Sequence, residues 1–261
     1  MNMVMTHTPR YPLARTRAGE ETGRYLTAAR TAFTDEILSD PGRTGLLFVM
    51  GESEPSLVYD VGNLAVSLAP LTCEHNILAG GAVATVFILS DMEREGLRPR
   101  LGGYIMYGSV TVMVINIQDN VIEFTLDQDD VFRMTDVNIT MPDDTGFFNI
   151  NNDPELITNL SEKFGKVDFK IRSDEDCLVA DVHRILKKGG VLIDTEGRFS
   201  AQFLLTPVSM IVSRIGGLAS NGTDPIVDLK PKYQNETLPV FLGNSEIVSQ
   251  LIEDNLPRYY P

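Results

Sequence analysis

The chain has 261 residues, 43% of them hydrophobic, enough to bury one large core or two closely joined ones. Lys and Arg total 22 against 36 Asp and Glu, a formal charge of −14, which argues against the basic surface that nucleic-acid phosphates require. The two cysteines, Cys73 and Cys177, are too few for a secreted disulfide scaffold. The N-terminus lacks a basic segment followed by an apolar core, and no apolar run of about 18 residues could cross a bilayer. A cytoplasmic, reduced protein is expected, with no nucleic-acid or membrane partner.

Residues 1–23 mix Thr, Arg, Pro and Gly without periodicity and read as a flexible arm. From Tyr25 to Ile37 apolar residues recur every four positions, which predicts a helix ended by Pro41-Gly42. Leu46–Met50 and Ser56–Tyr59 read as short strands around a Gly51–Pro55 turn. The β-branched run Val110–Ile117 turns at Asp119-Asn120 into Val121–Leu126, a hairpin. Leu178–Lys188 predicts a helix with cations in its last turn and glycine after it, and Pro207–Ile215 repeats the pattern before Gly216-Gly217. Strands interleaved with helices argue for a layered α/β protein.

Three blocks together resemble class I fructose-1,6-bisphosphatase. Gly103-Tyr104-Ile105-Met106-Tyr107-Gly108-Ser109 is similar to that family's G-Y-x-x-Y-G-S, and Val179-Ala180-Asp181-Val182-His183-Arg184 to its V-A-D-V-H-R. Thr206-Pro207, Gly216-Gly217 and Pro239–Asn244 follow in the order of its N-P, G-G and P-V-x-L-G-S. The resemblance implies a layered αβαβα sandwich, with two closely joined subdomains at about 24–140 and 141–261, and a homodimer or homotetramer.

At the chemistry the resemblance breaks. The family's D-P-L-D-G-S-S-N, which supplies two metal-binding aspartates and a phosphate-binding turn, corresponds to Ala69-Pro70-Leu71-Thr72-Cys73-Glu74-His75-Asn76. Mg²⁺ prefers anionic oxygens, so alanine and threonine are poor replacements. A third metal carboxylate corresponds to Leu204, and the family's water-activating glutamates correspond ambiguously to Glu52 or Glu54. An Arg-Tyr pair of the sugar-phosphate site corresponds to Ser173-Asp174, and a further tyrosine to Asp194. Arg198 matches the family's sugar-phosphate lysine, and Asn151 a phosphate-binding asparagine.

Cys73, Glu74 and His75 form one candidate catalytic set, since histidine moves protons near neutral pH and a neighbouring cation activates a thiol; drift at a disused metal site is the plain alternative. Asp174 and Asp194 form a candidate acid–base pair, or solvated surface residues. Thr72, Arg198 and Asn151 are the candidate substrate contacts. His183 reads as polar support and Cys177 as packing. The expectation is an enzyme using no metal or cofactor on a small, non-phosphorylated molecule by isomerisation, dehydration or cyclisation. A catalytically inactive binding or regulatory partner is the alternative, and a residual sugar bisphosphatase the third reading.

Overall fold

The computed structural model describes residues 46–51, 57–58, 63–76, 80–93, 96–143, 146–151, 153–165, 167–172, 176–230 and 236–253. The arm expected at 1–23 and the helix expected at Tyr25–Ile37 lie outside them.

Eight strands form the first sheet: β1 (Leu46–Gly51), β2 (Leu57–Val58), β3 (Leu64–Thr72), β4 (Val83–Glu93), β5 (Gly96–Tyr107), β6 (Thr111–Ile117), β7 (Asn120–Leu126) and β8 (Phe132–Val137). Their order is β2-β1-β3-β4-β5-β6-β7-β8, antiparallel except for the parallel pairing of β1 with β3. The expected hairpin is β6–β7, turning through Gln118 at φ 54. β1 and β2 pair antiparallel where two short strands were expected.

The chain then forms β9 (Phe147–Ile150), α1 (Pro154–Phe164), β10 (Asp168–Ile171), α2 (Leu178–Lys188), β11 (Val191–Ser200), α3 (Thr206–Arg214), β12 (Gly217–Ser220), β13 (Thr237–Asn244) and α4 (Ser245–Glu253). The second sheet runs β10-β9-β11-β13-β12, with β10, β9 and β11 parallel. Asp153 caps α1 by accepting the Leu156 amide at 2.9 Å, with Pro154 at the first turn where its missing N–H is not needed. α2 ends at Gly189, φ 78, as its Gly-Gly signal predicts. α3 starts at Thr206, directly after a π turn over Ala201–Leu205.

Side-chain alternation sorts the layers. Ala69, Val86, Tyr104 and Val114 of the first sheet meet α2 and α3 residues such as Val182 and Ile211, with Leu192 and Leu242 of the second sheet on the far side. The second sheet's opposite face, Phe148, Ile150, Ile193 and Phe241, packs on Leu156 and Leu160 of α1 and Ile247 and Leu251 of α4. Burying each such aliphatic or aromatic side chain contributes roughly 1.5–3 kcal/mol. The described layers therefore run sheet, helices, sheet, helices, four of the five that the αβαβα reading expects.

Candidate functional site

Parallel strands leave a crevice beyond their carboxyl ends, the usual ligand position in such sheets. In the second sheet Ile171, Ile150 and Ile193 lie in one register row. The following residues, Arg172, Asn151 and Asp194, therefore stand side by side at the ends of β10 and β9 and within β11. The Arg172 amide donates to the Ile150 carbonyl at 2.7 Å, which carries this alignment past the end of β10.

Asp194 is fully buried. Its Oδ2 accepts from Arg198 at 2.8 Å, and its Oδ1 accepts the amides of Glu196 and Gly197, each at 3.1 Å. Such a carboxylate is an anchor for the turn and for the Arg198 guanidinium. Arg172 is ion-paired with Asp181 of α2, and Lys170 reaches the other Asp181 oxygen at 2.8 Å. Burial acts to lower the Lys170 pKa, but its hydrogen bonds and charge contacts with Asp181 and Asp176 raise it overall. The Arg172 and Arg198 guanidinium carbons lie 5.2 and 6.0 Å from the Phe199 ring centre, so two cations flank one ring.

Asn151 differs from its neighbours. It is 3% exposed and both side-chain polar atoms lack a hydrogen-bond partner among the described residues. Asn149, two residues back on the same face, is in the same condition, and Arg172 Nε is likewise buried without a partner. Leaving a buried amide unpaired costs about 1–3 kcal/mol, which a polar ligand would recover.

Around the end of β3 the picture is different. Cys73 adopts φ 64, a left-handed conformation that a side chain resists. Its thiol faces the core, whereas Glu74 and His75 are exposed. The neighbouring Cys177 chiefly, and burial with it, push the Cys73 thiol up, and with Cys73 buried while Glu74 and His75 are exposed the structure does not gather the three at one site. Thr72 Oγ1 lies 3.7 Å from the Cys73 sulfur. Asp174, the other half of the expected acid–base pair, lies outside the described residues.

A two-metal phosphatase centre needs several carboxylates converging on the ions. Ala69 is fully buried and Leu204 is 6% exposed, and both belong to the apolar core. Among the described residues no group of three or more His, Cys, Asp or Glu could hold a metal ion. The donor set in view does not fit a Mg²⁺ pair.

Arg172 escaped sequence reasoning because an arginine at a strand end reads as surface; only its register beside Asn151, and Asp181 facing it, reveal it. His183 is the polar support expected, with Tyr104 Oη 2.9 Å from its Nδ1.

Residues 146–254 match the family model described as the C-terminal domain of fructose-1-6-bisphosphatase. A class 1 fructose-1,6-bisphosphatase of Bradyrhizobium sp. is 28% identical over 272 aligned residues, spanning 90% of this chain and 79% of that one. Fructose-1,6-bisphosphatase from Leishmania major superposes with TM-score 0.81 in its apo form, at 21% identity, covering 97% of this chain and 93% of that one. Its T-state gives 0.83 at 20% identity, covering 97% and 89%. The fold is thus shown to be that of this phosphatase. The expected metal-independent isomerase or lyase is overturned: the relative matched along nearly the whole chain is a sugar bisphosphatase, and Asp194, its proposed acid or base, is held in an ion pair.

Proposed function

As a divergent member of the class I fructose-1,6-bisphosphatase family, this chain, we propose, keeps the recognition of a phosphorylated sugar and lacks the hydrolytic metal centre, serving as a binding or regulatory protein. The supporting observation is the row Arg172, Asn151 and Asp194 with Arg198, in which a buried amide, unpartnered among the described residues, stands between Arg172 and the Asp194 that holds Arg198. Arginine forks suit phosphate oxygens, because two parallel N–H donors match two acceptors. Asn151 would donate its amide to the same group, and Asp194 keeps the Arg198 fork oriented.

The hydrolytic half is absent from this reading because alanine and leucine side chains offer a cation no oxygen, and a threonine hydroxyl carries no charge. The Bradyrhizobium relative favours a second reading, a metal-dependent sugar bisphosphatase. That reading requires carboxylates from outside the described residues, such as Glu52 and Glu54.

Calorimetric titration of the full chain with fructose 1,6-bisphosphate and with fructose tests the binding reading. Saturable binding of the phosphorylated sugar alone is expected, weakened about tenfold or more by Arg198→Met or Asn151→Leu, since each removes a charged or buried hydrogen bond of roughly 1.5–3 kcal/mol. Equal binding of the unphosphorylated sugar would overturn it.

A further inference from the structure

Between the first sheet and the start of α3 the structure leaves a cavity of about 390 Å³, within the size range of small-molecule sites. Strand register builds its floor. Ser67 of β3 stands opposite Ile88 of β4, and Ser90, two residues on, shows its side chain on the same face, the one that carries Ala69 and Val86 into the core. Gln202 from the π turn and Thr206 at the start of α3 line the cavity from the helical layer. Arg172, Asn151, Asp194 and Arg198 are not among its lining residues.

The floor is polar but carries no charge. Ser67, Ser90 and Thr206 are all buried there. Ser67 Oγ accepts from Gln202 Nε2 at 3.0 Å, which leaves the Ser67 proton to donate. Thr206 donates to the Ala201 carbonyl at 2.8 Å and keeps its lone pairs to accept. The floor thus presents donors and acceptors together, as a hydroxyl or a carboxamide does. Exposure orders the remaining lining. Ile88 is buried, while Leu97, Val227 and Leu229 are half-buried and form an apolar waist. Arg98, Glu93, Asp228 and Lys230 are exposed, so the charges stand at the mouth, two of each sign. Arg98 is already tied to Glu93 at 2.8 Å and to Asp91 at 3.2 Å.

We propose that this cavity is a second ligand site, taking an uncharged small molecule with an apolar body and a hydroxyl or carboxamide head. The head reaches Ser67, Ser90 and Gln202, and the body lies against Ile88, Leu97, Val227 and Leu229. A carboxylate or phosphate head is disfavoured, because on this floor it would lose its water and meet no cation. The balanced charges at the mouth add no net pull on an anion. The selectivity is therefore opposite to that of the arginine row, whose guanidinium groups suit a phosphate. Since the two sites share no residue named for the row and differ in ligand charge, this one stands whether or not the row binds a sugar phosphate.

NMR of the full chain, labelled at the Ile, Leu and Val methyls, tests this with four probes that share one ring: benzamide, benzyl alcohol, benzoate and phenyl phosphate. Saturable shifts of the Ile88, Leu97 and Leu229 methyls are expected with the two uncharged probes, and binding at least about tenfold weaker with the two anions. Val227→Trp narrows the half-buried waist and Ser67→Leu fills the floor, so each should weaken benzamide by about tenfold or more. Fructose 1,6-bisphosphate should leave the benzamide affinity unchanged. If neither variant folds, the four-probe series on the unaltered chain still decides the matter. Methyls that do not shift, anions that bind there as tightly as the uncharged probes, undiminished benzamide binding in a folded variant, or displacement of benzamide by the sugar phosphate would overturn the proposal.

Discussion

Arg172 and Asp181 are 5% and 4% exposed, and each is the other's principal counter-charge, with Lys170 on the second Asp181 oxygen. Removing one partner strands the other without water, so Asp181→Asn should lower the unfolding free energy by about 3–5 kcal/mol. Replacing both at once, as Arg172→Met with Asp181→Leu, should cost less than the single change, because no lone charge remains. Urea unfolding of the three proteins measures this; a loss under about 1 kcal/mol for the single variant would contradict it. Asp181 was legible in the V-A-D-V-H-R block, but its partner was not, since a strand must be aligned against a helix before the two meet. Asn151 was recognisable from its resemblance alone; that its amide is buried and, among the described residues, unpaired is a fact of packing.

α2 is fastened to the first sheet by polar contacts as well as apolar ones. His183 meets the Tyr104 hydroxyl, and Lys187 bonds Glu123 at 2.8 Å and Asp136 at 3.0 Å. Burial chiefly depresses the His183 pKa below its usual 6.5, with Glu123 opposing and Lys187 assisting. The unfolded chain therefore binds the proton more readily. This group's contribution to stability is full above about pH 6.5 and is lost as pH falls through the depressed folded value. Stability measured by chemical unfolding should decline below that pH, and His183→Gln should show a shallower decline. Identical slopes would contradict the account.

The two central strands β11 and β13 make a second element-scale demand. Gly243 has φ 142, and a Cβ there would lie 2.2 Å from the Gly190 carbonyl oxygen. Gly243→Ala should destabilise by more than about 3 kcal/mol in denaturant unfolding, through backbone strain and the clash together. Hairpins and helix stops such as β6–β7 and α2 were readable because their signals are local in sequence. The π turn at Ala201–Leu205 was not, since no residue pattern distinguishes it from the start of α3; what it does is set Leu204 into the core.

At the scale of the molecule, the function proposed above separates the scaffold from the site. The superposition on the phosphatases covers 97% of the chain, and the blocks that carry the resemblance hold glycines and core residues with steric roles, together with Asp181 and His183, whose polar contacts tie α2 to its neighbours. Those roles survive divergence because they do not depend on the reaction. The arginine row was hidden from sequence reading because it joins residues brought together only by parallel pairing and by stacking of layers. The central claim is that sugar-phosphate recognition persists here without hydrolysis. Phosphate release from fructose 1,6-bisphosphate, followed with Mg²⁺ and with Mn²⁺ at sugar concentrations that saturate calorimetric binding, tests it most directly. The account predicts saturation with no release above the protein-free control; metal-dependent phosphate release that grows with protein concentration would contradict it.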